Sequence, residues 1–350
     1  MKSNLKFFKS AKSLPIDIFF QNVLYDKNNG YYNSKIPFGF KGDFITAPKI
    51  SNLFSEIIAV WLISTWQDFG KPKVFNIVEL GPGDGDLTKM LIQVSKKFPA
   101  FNEAKKIFLY EISNKLQNLQ KKNIKDKRVK WIKNFDKIKE GPIVFFGNEF
   151  FDAIPIKQFK RDKNRLLEKH YGCNKNYKIK EIFVKASNKD FKLINSFNEF
   201  KKQKFIEFPK LGLEVLNKIL KKILKLNGCI LLIDYGYLKA RNQNPLQSVM
   251  KHKKNDLLNN LGKADVTSHV NFNLLKEFFQ KSGLNVKKTI TQKEFLKKMG
   301  IDERAEIVAK KMSFREKTNL YLRLKRLLSP ALMGSLFKVI LAYKFNSSNH

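Results

Sequence analysis

The chain has 350 residues, 43% hydrophobic and 28% charged, which excludes a disordered chain and leaves room for one large domain or two ordinary ones. Two cysteines, Cys173 and Cys229, exclude a disulfide scaffold or a cysteine-rich zinc module, and the four histidines show no metal-ligand spacing. The formal net charge is +37, but 60 of the 68 basic residues are lysines spread through the whole chain; this reads as a solvated coat ahead of a dedicated nucleic-acid or acidic-membrane surface, and no specific nucleic-acid partner is expected.

The first twenty residues have no long apolar stretch and no small-residue cleavage site, so they do not read as a secretory signal. They lack acidic residues before Asp17, as a mitochondrial presequence would, but they also lack arginine. A cytoplasmic, bacterial setting is the expectation, with the mitochondrial matrix as the alternative. No apolar run is long enough for a membrane span. Leu14 to Tyr32 is the first organised stretch and ends in the turn signal Asn28-Asn29-Gly30. A polar loop, Gly39 to Pro48, precedes a helix with Ile50, Leu53, Phe54, Ile57, Ile58 and Trp61 on its buried face.

From Lys73 strands and helices alternate. Val74 to Leu80 reads as a strand, residues 88 to 98 as a helix, and Ile107 to Glu111 as a second strand followed by a Lys/Gln/Asn-rich helix. Val129 to Ile132 and Pro142 to Asn148 follow as the third and fourth strands. This alternation signals a mostly parallel sheet covered by helices, an α/β fold. It then stops: Lys157 to Lys185 reads as short antiparallel strands around Cys173 to Asn176, within an insertion over 156–210. An amphipathic helix over 211–226 is closed by Asn227-Gly228, and Cys229 to Asp234 is the fifth strand. Residues 238–272 are polar and irregular, Leu284 to Ile290 is a sixth strand, 292–328 is helical and basic, and Leu336 to Tyr343 is a last strand, late enough to insert antiparallel beside the fifth. The expected divisions are an N-terminal helical extension (1–70), the first half of a core (71–155), the antiparallel insertion (156–210) and the second half (211–350).

The sharpest chemical signal is Glu79-Leu-Gly-Pro-Gly-Asp-Gly-Asp-Leu87, where the first strand meets its helix. Gly81, Gly83 and Gly85 let the backbone approach a ligand closely over a helix N-terminus. The spacing G-x-G-x-G differs from the G-x-G-x-x-G of dinucleotide sites. Glu79 suits a ligand with a positive amino-acid head, the pattern of class I S-adenosyl-L-methionine (SAM) methyltransferases. Glu111, ending the second strand, can accept both hydroxyls of a ribose. Asn148-Glu-Phe-Phe-Asp-Ala-Ile-Pro155 follows the fourth strand, at the position that faces the transferred methyl in this fold. One turn of helix would place Glu149 and Asp152 on one side, where two carboxylates can clamp a guanidinium. Phe150 and Phe151 either wall that site or belong to the core. Asp234-Tyr235 ends the fifth strand on the same face. His269, within Asp265 to Phe272, is either a base or a cap before the next helix.

With these motifs the chain resembles the MidA-like family of SAM-dependent methyltransferases. The resemblance rests on Gly42 to Pro48, the Glu79–Leu87 loop, Tyr110 to Ser113, Asn148 to Ile156, Asp234 to Gly236, Asp265 to Phe272 and Met333-Gly334, in order along nearly the whole chain. It implies a Rossmann-like methyltransferase core with a seven-stranded sheet and inserted lid segments. It also implies SAM as cofactor, held by Glu79, Gly81, Gly83, Gly85, Glu111 and Asn148, and transfer to an arginine of a protein, a respiratory complex I subunit for the mitochondrial members. Glu149 and Asp152 would orient the guanidinium and His269 or water would take the proton, with Asp43, Thr46, Asp234 and Tyr235 on the substrate side. Two other functions fit the same residues: methylation of RNA or a small molecule, and a non-catalytic SAM-binding assembly factor. The family loop usually reads Gly-Pro-Gly-Arg-Gly-Thr; here Asp84 and Asp86 replace the Arg and Thr, and Lys133 stands where an acid often follows the third strand.

Overall fold

The structure is a computed structural model describing residues 2–35, 37, 42–43, 45–163, 165–174, 178–239 and 246–345. Gly39, Phe40, Lys41 and Phe44 of the polar loop, and Lys175 and Asn176 of the hairpin turn, lie outside the described residues. The chain divides into two compact units. An α/β unit comprises Ile45–Phe150, Lys218–Gly236 and Phe279–His350; an antiparallel unit comprises Met1–Phe44, Phe151–Asn217 and Tyr237–Phe278. Among the described residues no helix is long and apolar enough to cross a membrane.

The α/β unit is built on a sheet whose core strands are β1 (Phe75–Leu80), β2 (Lys105–Tyr110), β3 (Lys130–Ile132), β4 (Ile143–Asn148), β5 (Gly228–Tyr237) and β6 (Phe337–Lys344). Along the sheet the order is Asn285–Val286, β6, β5, β4, β1, β2, β3, a path of seven strands. The pairs from β5 to β3 are parallel, and β6 pairs antiparallel with β5, as the sequence pattern suggested. All six residues of β1 are buried, which is why apolar side chains do not alternate with exposed polar ones along it; its two polar residues, Asn76 and Glu79, are buried with the rest. The chain runs outward from β1 through β2 to β3, then returns to the other side of β1 with β4. That reversal makes the carboxyl ends of β1 and β4 the place where a ligand binds in such sheets.

Helix Asn52–Asp68 begins at Ser51, whose hydroxyl accepts the Leu53 N–H, and packs Leu53, Phe54, Ile57, Ile58 and Trp61 into the core. The helix after β1 begins and ends earlier than expected: it spans Asp86–Ser95, and Pro99 opens a separate helix, Pro99–Ala104. The expected sixth strand is broken. Asn285–Val286 and Ile290–Thr291 both pair with β6, but four steps from Val286 to Ile290 oppose three from Ala342 to Val339, a bulge. Gly228 begins β5 because a Cβ there would sit 2.0 Å from the Ile143 carbonyl oxygen.

In the antiparallel unit, strands Ser13–Pro15, Arg165–Cys173, Lys157–Asp162 and Phe205–Phe208 lie side by side, with Ile179–Lys185 also paired to Arg165–Cys173. Helix Ile16–Tyr25 covers this sheet through Phe19, Phe20 and Val23, packed with Phe7, Phe8 and Tyr171. The segment expected to be irregular contains a small sheet instead: Gln247–Met250 pairs antiparallel with both Lys253–Asn255 and Asp265–Thr267. Strands of three or four residues are too short for period-two alternation to show against a polar background.

Candidate active site

The glycine loop turns sharply after β1. Gly81, Gly83 and Gly85 have φ values of +62°, +57° and +88°, a region that a Cβ disfavours. A Cβ on Gly81 would lie 3.0 Å from the Phe150 ring, and one on Gly85 would lie 2.9 Å from Ile124 Cδ1. The loop is therefore held on both sides while its backbone opens the helix Asp86–Ser95, whose first amides and dipole favour a negative or hydrogen-bond-accepting ligand group.

Glu79, near the end of β1, is buried, and its carboxylate accepts the Thr88 hydroxyl. Burial pushes its pKa up to about 7; the Thr88 bond opposes the rise and the Asp84 charge adds to it. Glu111, just beyond β2, is also buried and also raised to about 7 by burial, against bonds from the Ser113 N–H (2.8 Å) and the Gln120 amide (3.2 Å). Two buried carboxylates with no cationic partner among the described residues gain most from a ligand that supplies one, or that supplies hydroxyl donors.

Gln120 is a residue that the sequence reading passed over. It is fully buried on helix Asn114–Ile124, donates to the Gly83 carbonyl (2.8 Å) and to Glu111, and accepts the Trp131 indole N–H (2.9 Å). One amide thereby ties the glycine loop, the acid after β2 and the third strand together. Its neighbour Asn123 donates to the Asp84 carbonyl at 2.9 Å. Lys49, from the turn Ala47–Ile50, forms ion pairs with both Asp84 and Asp86. These acids replace the usual Arg and Thr of the resembled loop, and the single Lys49 cation, shared between them, offsets part of their charge. Burial lowers the Lys49 pKa, but the two acids outweigh it and leave it raised.

Past β4, the expected turn of helix is absent. Glu149 has φ +51°, and residues 149–152 form an irregular turn, so the two carboxylates are not placed by helical spacing. The Glu149 N–H is fixed by the Ile233 carbonyl at 2.9 Å, and its carboxylate accepts from the Asn148 amide (3.1 Å) and the Ala47 N–H (3.4 Å). Asn148 Oδ1 is buried and makes no hydrogen bond within the described residues, leaving an acceptor available at the end of β4. Phe150 packs against the glycine loop, whereas Phe151 lies over Gly212 in the antiparallel unit. Thr46 precedes the Ala47–Ile50 turn, and its carbonyl accepts the Lys49 N–H at 2.9 Å. Asp234, on β5, is buried and accepts the Tyr235 N–H at 3.0 Å, while the Tyr235 ring packs edge-on against Phe337.

The antiparallel unit holds the other acids. Asp43 is buried and accepts from the Tyr31 hydroxyl (2.6 Å), the Lys251 N–H (2.7 Å) and the Lys35 ammonium. Burial raises its pKa, but these donors outweigh it and hold it below the usual carboxylate value. Asp265 accepts from the Tyr32 hydroxyl (3.1 Å) and the Val266 N–H (2.9 Å). Burial and the nearby Asp152 charge push Asp265 up to about 7. Asp152 is buried, and its carbonyl accepts the Ser268 N–H at 3.0 Å. Tyr25 stacks on Tyr32, and Tyr31 meets Tyr32 edge-on. Asp265, Tyr31 and Tyr32 join Asp43 and Asp152, a grouping that pattern reading did not find because Tyr32 and Asp265 are 233 residues apart. His269 contacts Gln247 at 3.1 Å, and the cap of helix Phe272–Lys281 is Asn271, whose side chain accepts the Leu274 N–H; the capping alternative for His269 is thus corrected.

These features fit SAM. The positive-φ glycines form a cradle a Cβ would obstruct, Glu79 and Glu111 are buried acids with no cation paired to them among the described residues, and Asn148 Oδ1 is a buried acceptor with no hydrogen bond among the described residues. The comparisons with known proteins point the same way. A family model described as S-adenosyl-L-methionine-dependent methyltransferase matches residues 57–290. The chain is 32% identical to the protein arginine methyltransferase NDUFAF7 homolog, mitochondrial, of Caenorhabditis elegans, over 79% of this chain and 70% of that one. It is 29% identical to the protein arginine methyltransferase NDUFAF7, mitochondrial, of Xenopus tropicalis, over 87% and 76%. In fold it is similar to a Burkholderia thailandensis protein crystallised with S-adenosyl-homocysteine, at a TM-score of 0.82 and 20% identity, covering 98% of this chain and 91% of that one.

Proposed function

The chain belongs to this family of S-adenosyl-L-methionine-dependent methyltransferases, and from that premise we propose that it methylates an arginine side chain of a protein. The observation that carries the arginine reading is the run of NDUFAF7-type relatives, each called a protein arginine methyltransferase, that match most of this chain. The acids Glu149 and Asp152, three residues apart in the chain, support it chemically.

In this reading Glu79 receives the amino-acid head of the cofactor, Glu111 its ribose, and Gly81, Gly83, Gly85 and Asn148 frame it. Bound SAM supplies a methyl group on an electrophilic sulfonium. The protein must then make a poor nucleophile reactive. A free guanidinium spreads its charge over three nitrogens. Carboxylates on one edge draw the charge there and orient the remaining nitrogen toward the acceptor trajectory. We assign that task to Glu149 and Asp152. Asp43, Thr46, Asp234 and Tyr235 are assigned to the substrate side, and His269 or water to proton removal. A subunit of respiratory complex I is the proposed class of protein target, and the mitochondrial matrix or a bacterial cytoplasm the proposed setting.

The test is transfer of a labelled methyl group from SAM into a lysate of the source cell lacking this gene, followed by amino-acid analysis. Label in methylarginine supports the proposal. Label in RNase-sensitive material would replace it with RNA methylation, and cofactor binding with no label would replace it with a binding-only role.

A further inference from the structure

The helix Phe314–Leu328 in the α/β unit has two faces of different character. Leu320, Leu324 and Leu327 are buried against the core, which accounts for one stripe of the helix. The opposite face carries Phe314, Tyr321 and Leu322, which are 87%, 48% and 59% exposed. Three large apolar side chains on the outer part of one helix are thus left exposed to solvent.

The charges around them are equally uneven. The whole chain has 8 arginines against 60 lysines, yet Arg315, Arg323 and Arg326 all lie on these fifteen residues. Lys310 and Lys311 precede the helix, and Lys317 and Lys325 lie on it. The single acid of the helix, Glu316, is occupied: its carboxylate accepts from the Ser313 N–H (2.8 Å) and hydroxyl (2.7 Å) in a capping box. The outer face is thus apolar side chains interleaved with cations, with its one anion turned to its own helix end. A helix turned outward with this combination lies in the plane of an anionic interface, burying the apolar residues at headgroup level and placing the cations among the phosphates.

We propose that Phe314–Leu328 is a docking surface for an anionic phospholipid bilayer. The diffuse lysine coat is attracted to any polyanion at low salt. The specific claim is that Phe314, Leu322 and the three arginines bind beyond that background.

The experiment uses the full-length chain, purified, with vesicles of phosphatidylcholine alone or with about one-third phosphatidylserine, near physiological salt. Two charge-matched triple variants separate site from coat: Arg315→Gln/Arg323→Gln/Arg326→Gln, and Lys201→Gln/Lys202→Gln/Lys204→Gln at exposed positions of the other unit. A third variant, Phe314→Ser/Leu322→Ser, keeps the charge. We expect the arginine triple and the apolar pair each to weaken vesicle binding by about tenfold or more, the lysine triple by less than about twofold, and cofactor binding to stay unchanged in all three. Equal losses in the two triples, or full binding by the apolar pair, would overturn the proposal in favour of the diffuse coat. So would binding of a soluble RNA as tight as that of the vesicles and indifferent to Phe314→Ser/Leu322→Ser.

Discussion

Replacing Glu79 by Gln should make the ligand-free protein more stable and its cofactor binding worse, and the size of both effects follows from one group. The Glu79 carboxyl sits at about 7 in the folded chain, against a reference of 4.5. The folded state therefore holds this proton more tightly than the unfolded state. The associated stability is fully present below pH 4.5 and is lost as the pH rises to 7; at about 1.4 kcal/mol per unit, the full loss approaches 3.5 kcal/mol. A glutamine accepts the same Thr88 hydroxyl and suffers no such loss. Relative to wild type, Glu79→Gln should therefore gain up to about 3 kcal/mol between pH 5 and pH 8. Binding runs the other way. A ligand with an ammonium head prefers ionised Glu79, so affinity should rise about tenfold per pH unit below 7 and level off above it. Glu111, also at about 7, accepts hydroxyls best when ionised and steepens this slope toward a hundredfold per unit. Urea titrations at pH 5 and 8 measure the first effect, and calorimetry with S-adenosyl-homocysteine between pH 5.5 and 8.5 measures the second. An affinity flat across that range, or a Glu79→Gln variant with an unchanged slope, would refute the reasoning.

Two further substitutions probe the loop. Gln120→Leu strands the Gly83 carbonyl and the Trp131 N–H and removes one donor to Glu111; it should destabilise by about 1–3 kcal/mol and weaken S-adenosyl-homocysteine binding by about tenfold in calorimetry. Lys49→Met leaves Asp84 and Asp86 facing each other without their cation and should also weaken binding. Adding Asp84→Asn should recover most of the loss, and a double variant no better than Lys49→Met would show that the lysine acts otherwise.

The sequence revealed most where chemistry and local geometry coincide. The strand–glycine–helix unit is legible because a fully buried strand, three glycines at φ values only they adopt easily, and an amphipathic helix are all short-range patterns. Glu79 and Glu111 were found because each lies at the end of such a strand. Gln120 was missed because a glutamine in a helix of lysines, glutamines and asparagines carries no mark of burial. The meeting of Asp265 with Tyr32, and of Asp43 with the Lys251 backbone, joins segments more than two hundred residues apart, which periodicity cannot see. The turn at Glu149 went unread for a different reason: a non-glycine residue at positive φ is a local rule broken, and such exceptions gather at functional sites. Lys49 explains how the loop carries Asp84 and Asp86 where an arginine and a threonine would be usual, a compensation supplied thirty-five residues upstream of Asp84.

The central claim is that carboxylates after the fourth strand prepare a guanidinium for methyl transfer. The most direct measurement uses the labelled protein identified in the lysate, purified, with wild type, Glu149→Gln and Asp152→Asn enzymes. The account predicts that label resides on one arginine and vanishes when that arginine is replaced by lysine. It also predicts that each acid variant loses about a hundredfold or more in transfer rate while binding S-adenosyl-homocysteine within about threefold of wild type. Label persisting on the lysine-substituted protein, or acid variants that transfer at the wild-type rate, would contradict it.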